Sequence, residues 1–226
     1  MVRVITVERE YGSQGAEFAH RLAGRLNWKL VDRCLIDEIA HKAGVPQSMA
    51  EQCDERLDPW YYRMGKSFWH GSVDRLPAPP KDQVFDSERM VEFVRSYLKQ
   101  CVADGNCVIV GRGAPYILRA RTDTFHVFVY GSREKKIQRL VRLKMKEKDA
   151  IEMVDTIDKE RAAFVRKYFG AEWPCRRLYH LMLNSDSGLE HVTNMVMATM
   201  ESLERSGKME PPGQNVQLDP VRSTTV

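Results

Sequence analysis

Near the N-terminus, Glu8-Arg9-Glu10-Tyr11-Gly12-Ser13-Gln14-Gly15-Ala16 joins an apolar run to an amphipathic one, and no other segment is as well suited to chemistry. Gly12 and Gly15 let the backbone approach a ligand closely. The amides that open the following helix would face that ligand with the positive end of the helix dipole. Phosphate is the natural guest of such a turn, although two glycines between a strand and a helix are also ordinary turn chemistry. Four further clusters end short apolar runs: Asp32-Arg33, Gly111-Arg112-Gly113, Gly131 to Arg133, and Asn184-Ser185. All are polar or glycine-rich, as a site for a charged ligand needs.

The elements that must position these clusters are readable from period and composition. Val2 to Val7 is predicted as a buried strand, followed by a helix over Ala16 to Leu26, in which Phe18, Leu22 and Leu26 share a stripe with Ala19 and Ala23. Trp28 to Val31 gives a second strand, and the strand–loop–helix–strand order is a βαβ unit with a right-handed crossover. Cys107 to Val110, Phe125 to Tyr130 and His180 to Leu183 give three more strands. Helices are expected over Ser87 to Val102, Ser132 to Lys146, Asp149 to Tyr168 and Gly188 to Arg205, with Ser132 a candidate N-cap. The expected fold is an α/β doubly wound parallel sheet of about five strands, whose ligands bind outside the carboxyl ends of the strands.

The chain has 226 residues, enough for one substantial core, so a single domain with insertions is expected. Residues 37–100 are predicted as a helical insertion carrying Trp60, Trp69 and the Pro77-Ala78-Pro79-Pro80 stretch, and residues 207–226 as a disordered tail. No run approaches the roughly 20 apolar residues of a membrane span, and the N-terminus lacks the pattern of a signal peptide. Cys34, Cys53, Cys101, Cys107 and Cys175 are odd in number and include no C-x-x-C pair. That argues against a disulfide framework or zinc site and for a reducing, cytoplasmic location. From Arg133 to Arg177 there are 14 Lys+Arg against 8 Asp+Glu, a local excess that suits an anionic partner or a solvated helix face. No nucleic-acid motif accompanies it, so nucleic acid is not the expected partner.

The stretch V-I-T-V-E-R-E-Y-G-S-Q-G-A-E-F-A-H-R-L-A-G-R-L-N-W-K-L-V-D resembles the start of a cytidylate kinase, most closely the cytidylate-kinase-like branch of the P-loop nucleoside-monophosphate kinases. C-V-I-V-G-R-G-A-P-Y-I-L resembles the strand and Gly-Arg element of that family. I-D-K-E-R-A-A-F-V-R-K-Y-F-G resembles its lid, and L-M-L-N-S-D-S-G-L-E its final strand and helix. The resemblance implies a core of 1–36, 101–140 and 178–206, an acceptor-binding insertion at 37–100 and a lid at 141–177. It implies phosphoryl transfer from ATP, with Mg2+, to CMP, dCMP or a related acceptor. Gly12, Ser13, Gln14, Gly15 and Ala16 would cradle the donor phosphates. Asp32 would sit near the acceptor or metal, and Arg112 would bind the acceptor's phosphate. Arg161 and Arg166 would close over the transferring group, where arginines neutralise charge.

The loop departs from the pattern G-x-x-x-x-G-K-S/T, in which lysine reaches the β- and γ-phosphates and the hydroxyl holds magnesium. Gly15 stands at the lysine position, Ala16 at the hydroxyl position and Arg9 at the first glycine. Near the Gly-Arg element the expected carboxylate is replaced by Val110 and Gly113, and Glu38 stands where an acceptor-binding arginine is expected. No residue is therefore assigned to the metal. Two functions remain open: a kinase in which Arg9 or a lid arginine supplies the missing charge, and a catalytically weak nucleotide-binding sensor.

Overall fold

The computed structural model describes residues 1–32 and 95–207. The chain divides into two compact units, residues 1–32 with 98–226 and residues 33–97. Most of the predicted insertion, with Glu38, Trp60, Trp69 and the proline stretch, lies outside the described residues. So do the start of the helix predicted from Ser87 and the tail beyond Gly207. Residues 95–101 are helical.

The larger unit is built on a parallel sheet with strands β1 (Val4–Arg9), β2 (Lys29–Val31), β3 (Cys107–Val110), β4 (Thr124–Tyr130) and β5 (Leu181–Asn184). Their order is β2-β3-β1-β4-β5. The central strand β1 pairs Val4 with Cys107 on one side and with Thr124 on the other. It is buried along its whole length, which explains why its apolar run is continuous instead of alternating.

Helix α1 (Gly15–Leu26) follows β1 directly, and its stripe of Phe18, Ala19, Leu22 and Ala23 is buried. This stripe packs against Ile5, Val7, Val108 and Val127, and on the same face lies α5 (Leu189–Ser206) with Val192, Val196 and Met200. Burying Phe18 and Leu22 contributes about 1.5–3 kcal/mol each. Asn27 ends α1 in a left-handed conformation, its amide donating to the carbonyls of Ala23 and Gly24.

After β3 comes the short helix α2 (Ala114–Ile117). After β4 comes α3 (Arg133–Arg142), with Ser132 at its N-cap as the sequence suggests, though no side-chain cap bond forms there. The long helix α4 (Glu147–Phe169) extends the predicted helix by two residues at its start and one at its end. Leu140 of α3 packs with Ala150, Val154 and Ile157 of α4 around the ring of Tyr11. Among the described residues no helix is long and apolar enough to cross a membrane. Cys101, Cys107 and Cys175 are thiols, and no three His, Cys, Asp or Glu side chains among the described residues gather as a metal site.

Candidate functional site

The strand order places a topological switch at the crevice between β1 and β3, where the connections that follow leave in opposite directions. Ligands of open parallel sheets bind at the carboxyl side of such a crevice. The loop between β1 and α1 lies there. Gly12 has φ +75° and Gln14 φ +62°, so the loop turns through two left-handed residues before α1 begins at Gly15. Backbone turns of this kind aim successive amides into one concavity suited to an anion, and the first-turn amides of α1 have no acceptor inside the helix.

The loop's side chains do different work. Ser13 is fully buried and its hydroxyl lies 2.8 Å from the Glu10 carbonyl and 3.1 Å from that of Val129, which pins the loop to β4. Gln14 donates to Glu17 at 2.7 Å on the surface, and Ala16 is exposed. Arg9 is buried, with Nη1 3.7 Å from Glu8 Oε1.

A partly buried ionic network holds the loop from the side of α3 and α4. Arg161 Nη1 donates to the Arg9 carbonyl at 2.8 Å and to Asp158 Oδ1 at 3.0 Å. Asp158 Oδ1 also accepts the Tyr11 amide at 2.9 Å. Lys136 Nζ lies 2.8 Å from Glu10 Oε2 and 3.7 Å from Asp158 Oδ2, while its stem backs Gly12. The peptide groups on both sides of Glu10 are thus held by α4. Burial pushes the Glu8 and Asp158 carboxyls above the ordinary carboxylate range, against the pull of Arg9 and Arg161 on Glu8 and of Arg161 on Asp158.

The remaining sequence-predicted residues take distinct places. Arg161 is only 3 % exposed, whereas Arg166 is exposed, because five residues along a helix turn it by about 500°. Asp32 follows β2 and is half-buried; Val31 is in register with Ile109, so Asp32 sits at the same end of the sheet as Arg112. Arg112 is buried with φ +63° between Gly111 and Gly113, each at φ +66°. Gly113 permits close approach of Phe169, which stacks on Tyr116 at 5.2 Å. The structure therefore gathers Arg9, residues 12–16 and Arg161 around one loop. Asp32 and Arg112 stand at neighbouring strand ends, and Arg166 faces outward.

At the ends of β4 and β5 the Ser132 amide donates to Asp186 Oδ2 at 3.1 Å, and Arg139 donates to Ser185 Oγ at 3.1 Å and Asp186 Oδ1 at 3.2 Å. Sequence reading missed Glu8, Glu10, Lys136 and Asp158. One signal for the network was present: Ala150, Val154, Ile157, Arg161 and Val165 form a single helical stripe, so Arg161 falls among apolar neighbours.

No curated protein sequence matches the chain. Among solved structures, an uncharacterized protein from Eubacterium ventriosum is similar with TM-score 0.61 and 22% identity, over 89% of this chain and 99% of that one. A gluconokinase from Sinorhizobium meliloti is similar with TM-score 0.52 and 11% identity, over 90% of this chain and 94% of that one. Both likenesses concern the fold, and the second is a kinase fold. The cytidylate kinase-like family matches residues 4–187, which include every strand, the loop between β1 and α1, and all of α4. The chain belongs to the cytidylate kinase-like family.

Proposed function

We propose that this protein transfers the γ-phosphoryl group of ATP to a phosphate-bearing acceptor, for which the family suggests CMP or dCMP. The observation that carries the reading is the left-handed turn at Gly12 and Gln14 opening onto the α1 N-terminus at the β1/β3 switch. The amides of residues 12–16 take the donor phosphates. Arg112 and Asp32, at the neighbouring strand ends, serve the acceptor. Arg161 acts by holding the Arg9 carbonyl, while Arg166, exposed on the helix assigned to the lid, approaches the transferring group. Phosphoryl transfer consists mostly of positioning and charge neutralisation, which this division of labour supplies.

ATP fits the loop; a protein-held magnesium fits less well. Ala16 offers no hydroxyl. Glu10 and Asp158 are ion-paired to Lys136 and Arg161. Magnesium is therefore taken to arrive on the nucleotide, and no step is assigned to a residue that binds it. A second reading, a nucleotide-binding sensor with little transfer, is favoured by Gly15 and Ala16 at the lysine and hydroxyl positions. Both readings require the loop to bind phosphate. Calorimetric titration of MgATP into the wild-type protein and Gly12→Val tests this, because a β-branched side chain is strained at φ +75° and a Cβ there lies 3.2 Å from Lys136 Cβ. Saturable binding to the wild type that is lost in Gly12→Val is expected. Equal affinity in a folded variant would show the loop to be only a turn.

A further inference from the structure

The lysine position of the loop has no room for a lysine. A Cβ built on Gly15 would collide with Arg9 Cβ and lie 2.8 Å from Arg9 Cγ. A Cβ on Gly111, just past β3, would overlap Arg9 Nη1. The Arg9 side chain therefore leaves the end of β1, runs past the first residue of α1 and ends with its guanidinium against Gly111. Since β1 and β3 are neighbours, the guanidinium lies in the switch crevice itself.

We propose that Arg9 is the phosphate-binding cation of this site and that positions 9 and 15 have exchanged roles relative to a Walker A loop. The cation stands where that loop has its first glycine, and glycine stands where it has its lysine. The exchange is reciprocal for a steric reason: an arginine stem at 9 and any side chain at 15 claim the same volume. The inference rests on reading the loop as a phosphate site.

The chemistry favours arginine in this place. The Arg9 side chain is 10 % exposed, and guanidinium keeps its charge under such burial. Its planar fork can offer two parallel N–H groups to phosphate oxygens, which an ammonium does not. Glu8 lies 3.7 Å from Arg9 Nη1, and Arg161 fixes the Arg9 backbone by bonding to its carbonyl. Gly15 and Gly111 are thereby explained together, one by the stem and one by the head of the same side chain.

The test is a set of MgADP titrations and thermal melts on full-length variants. Arg9→Gln keeps the stem and removes the charge; MgADP affinity is expected to fall about 10- to 100-fold. Gly15→Lys alone is expected to lower the melting temperature and abolish binding. The double variant Arg9→Gly/Gly15→Lys, which puts glycine and lysine at the two positions where a Walker A loop has them, is expected to recover the lost melting temperature and to bind within about tenfold of wild type. If Gly15→Lys does not fold, Gly15→Ala in the Arg9 and Arg9→Gly backgrounds measures the same steric coupling. Wild-type affinity in Arg9→Gln overturns the cation assignment, and a double variant no better than Gly15→Lys overturns the exchange. Wild-type protein that takes up no MgADP removes the phosphate site, and with it the need for any cation there; the melts then decide the steric half alone.

Discussion

Gln14 holds φ +62° at the turn into α1, in the left-handed region that disfavours side chains. Its amide reaches only the exposed Glu17, so little is gained locally for that strain. Gln14→Gly should stabilise the fold by about 0.5–1 kcal/mol, read as a higher denaturant midpoint at constant slope. An unchanged midpoint would show that the turn carries no strain. Residue identities made the loop legible in the sequence: two glycines between a strand and a helix announce close backbone approach. The course of the Arg9 side chain was not legible, because it depends on the packing of β1 against β3, over a hundred positions away in sequence. Nor could the inward turn of Ser13 be read, since its acceptor Val129 lies on β4.

At the scale of elements, α4 supports the loop through Asp158 and Arg161, and α3 does so through Lys136. Removing one member of such a network leaves buried charges without compensation. Asp158→Ala is expected to cost about 3 kcal/mol of stability. It should also speed hydrogen exchange at the amides of residues 10–14 more than in the sheet, because the Tyr11 amide loses its acceptor. Uniform protection across loop and sheet would mean that the network does not hold the loop. All five strands, to within two residues, and the helix from 149 were readable because apolar runs and stripes are local signals. The pairing of Asp158 with Tyr11 is a contact across 147 positions, which periodicity cannot encode. The placement of Arg161 and Arg166 on different faces was encoded in the stripe from Ala150 to Val165, which includes position 161 and not 166.

Across the whole molecule, the sheet places one ionisable core residue where acid will find it. His126 in β4 is fully buried, shares a 2.7 Å hydrogen bond with Thr6, and has its pKa lowered by burial and by His180 to about 3. Between its ordinary value of 6.5 and about 3, the unfolded chain takes up a proton that the folded chain refuses, so stability falls as pH drops through that window. His126→Gln should flatten this slope in pH-dependent melts, even if it lowers stability at pH 7; an unchanged slope would place the acid sensitivity elsewhere. The doubly wound architecture followed from the order of strands and helices, whereas the acceptor could not be read, because substrate choice rests on side chains from several strand ends. The most direct test of phosphoryl transfer is the movement of label from γ-labelled ATP, with magnesium, to a panel of nucleoside monophosphates. Labelled CDP or dCDP is expected, with transfer weakened in Arg112→Ala and Arg166→Ala. No labelled product from any acceptor, from protein that binds MgATP, would contradict phosphoryl transfer and leave the nucleotide sensor.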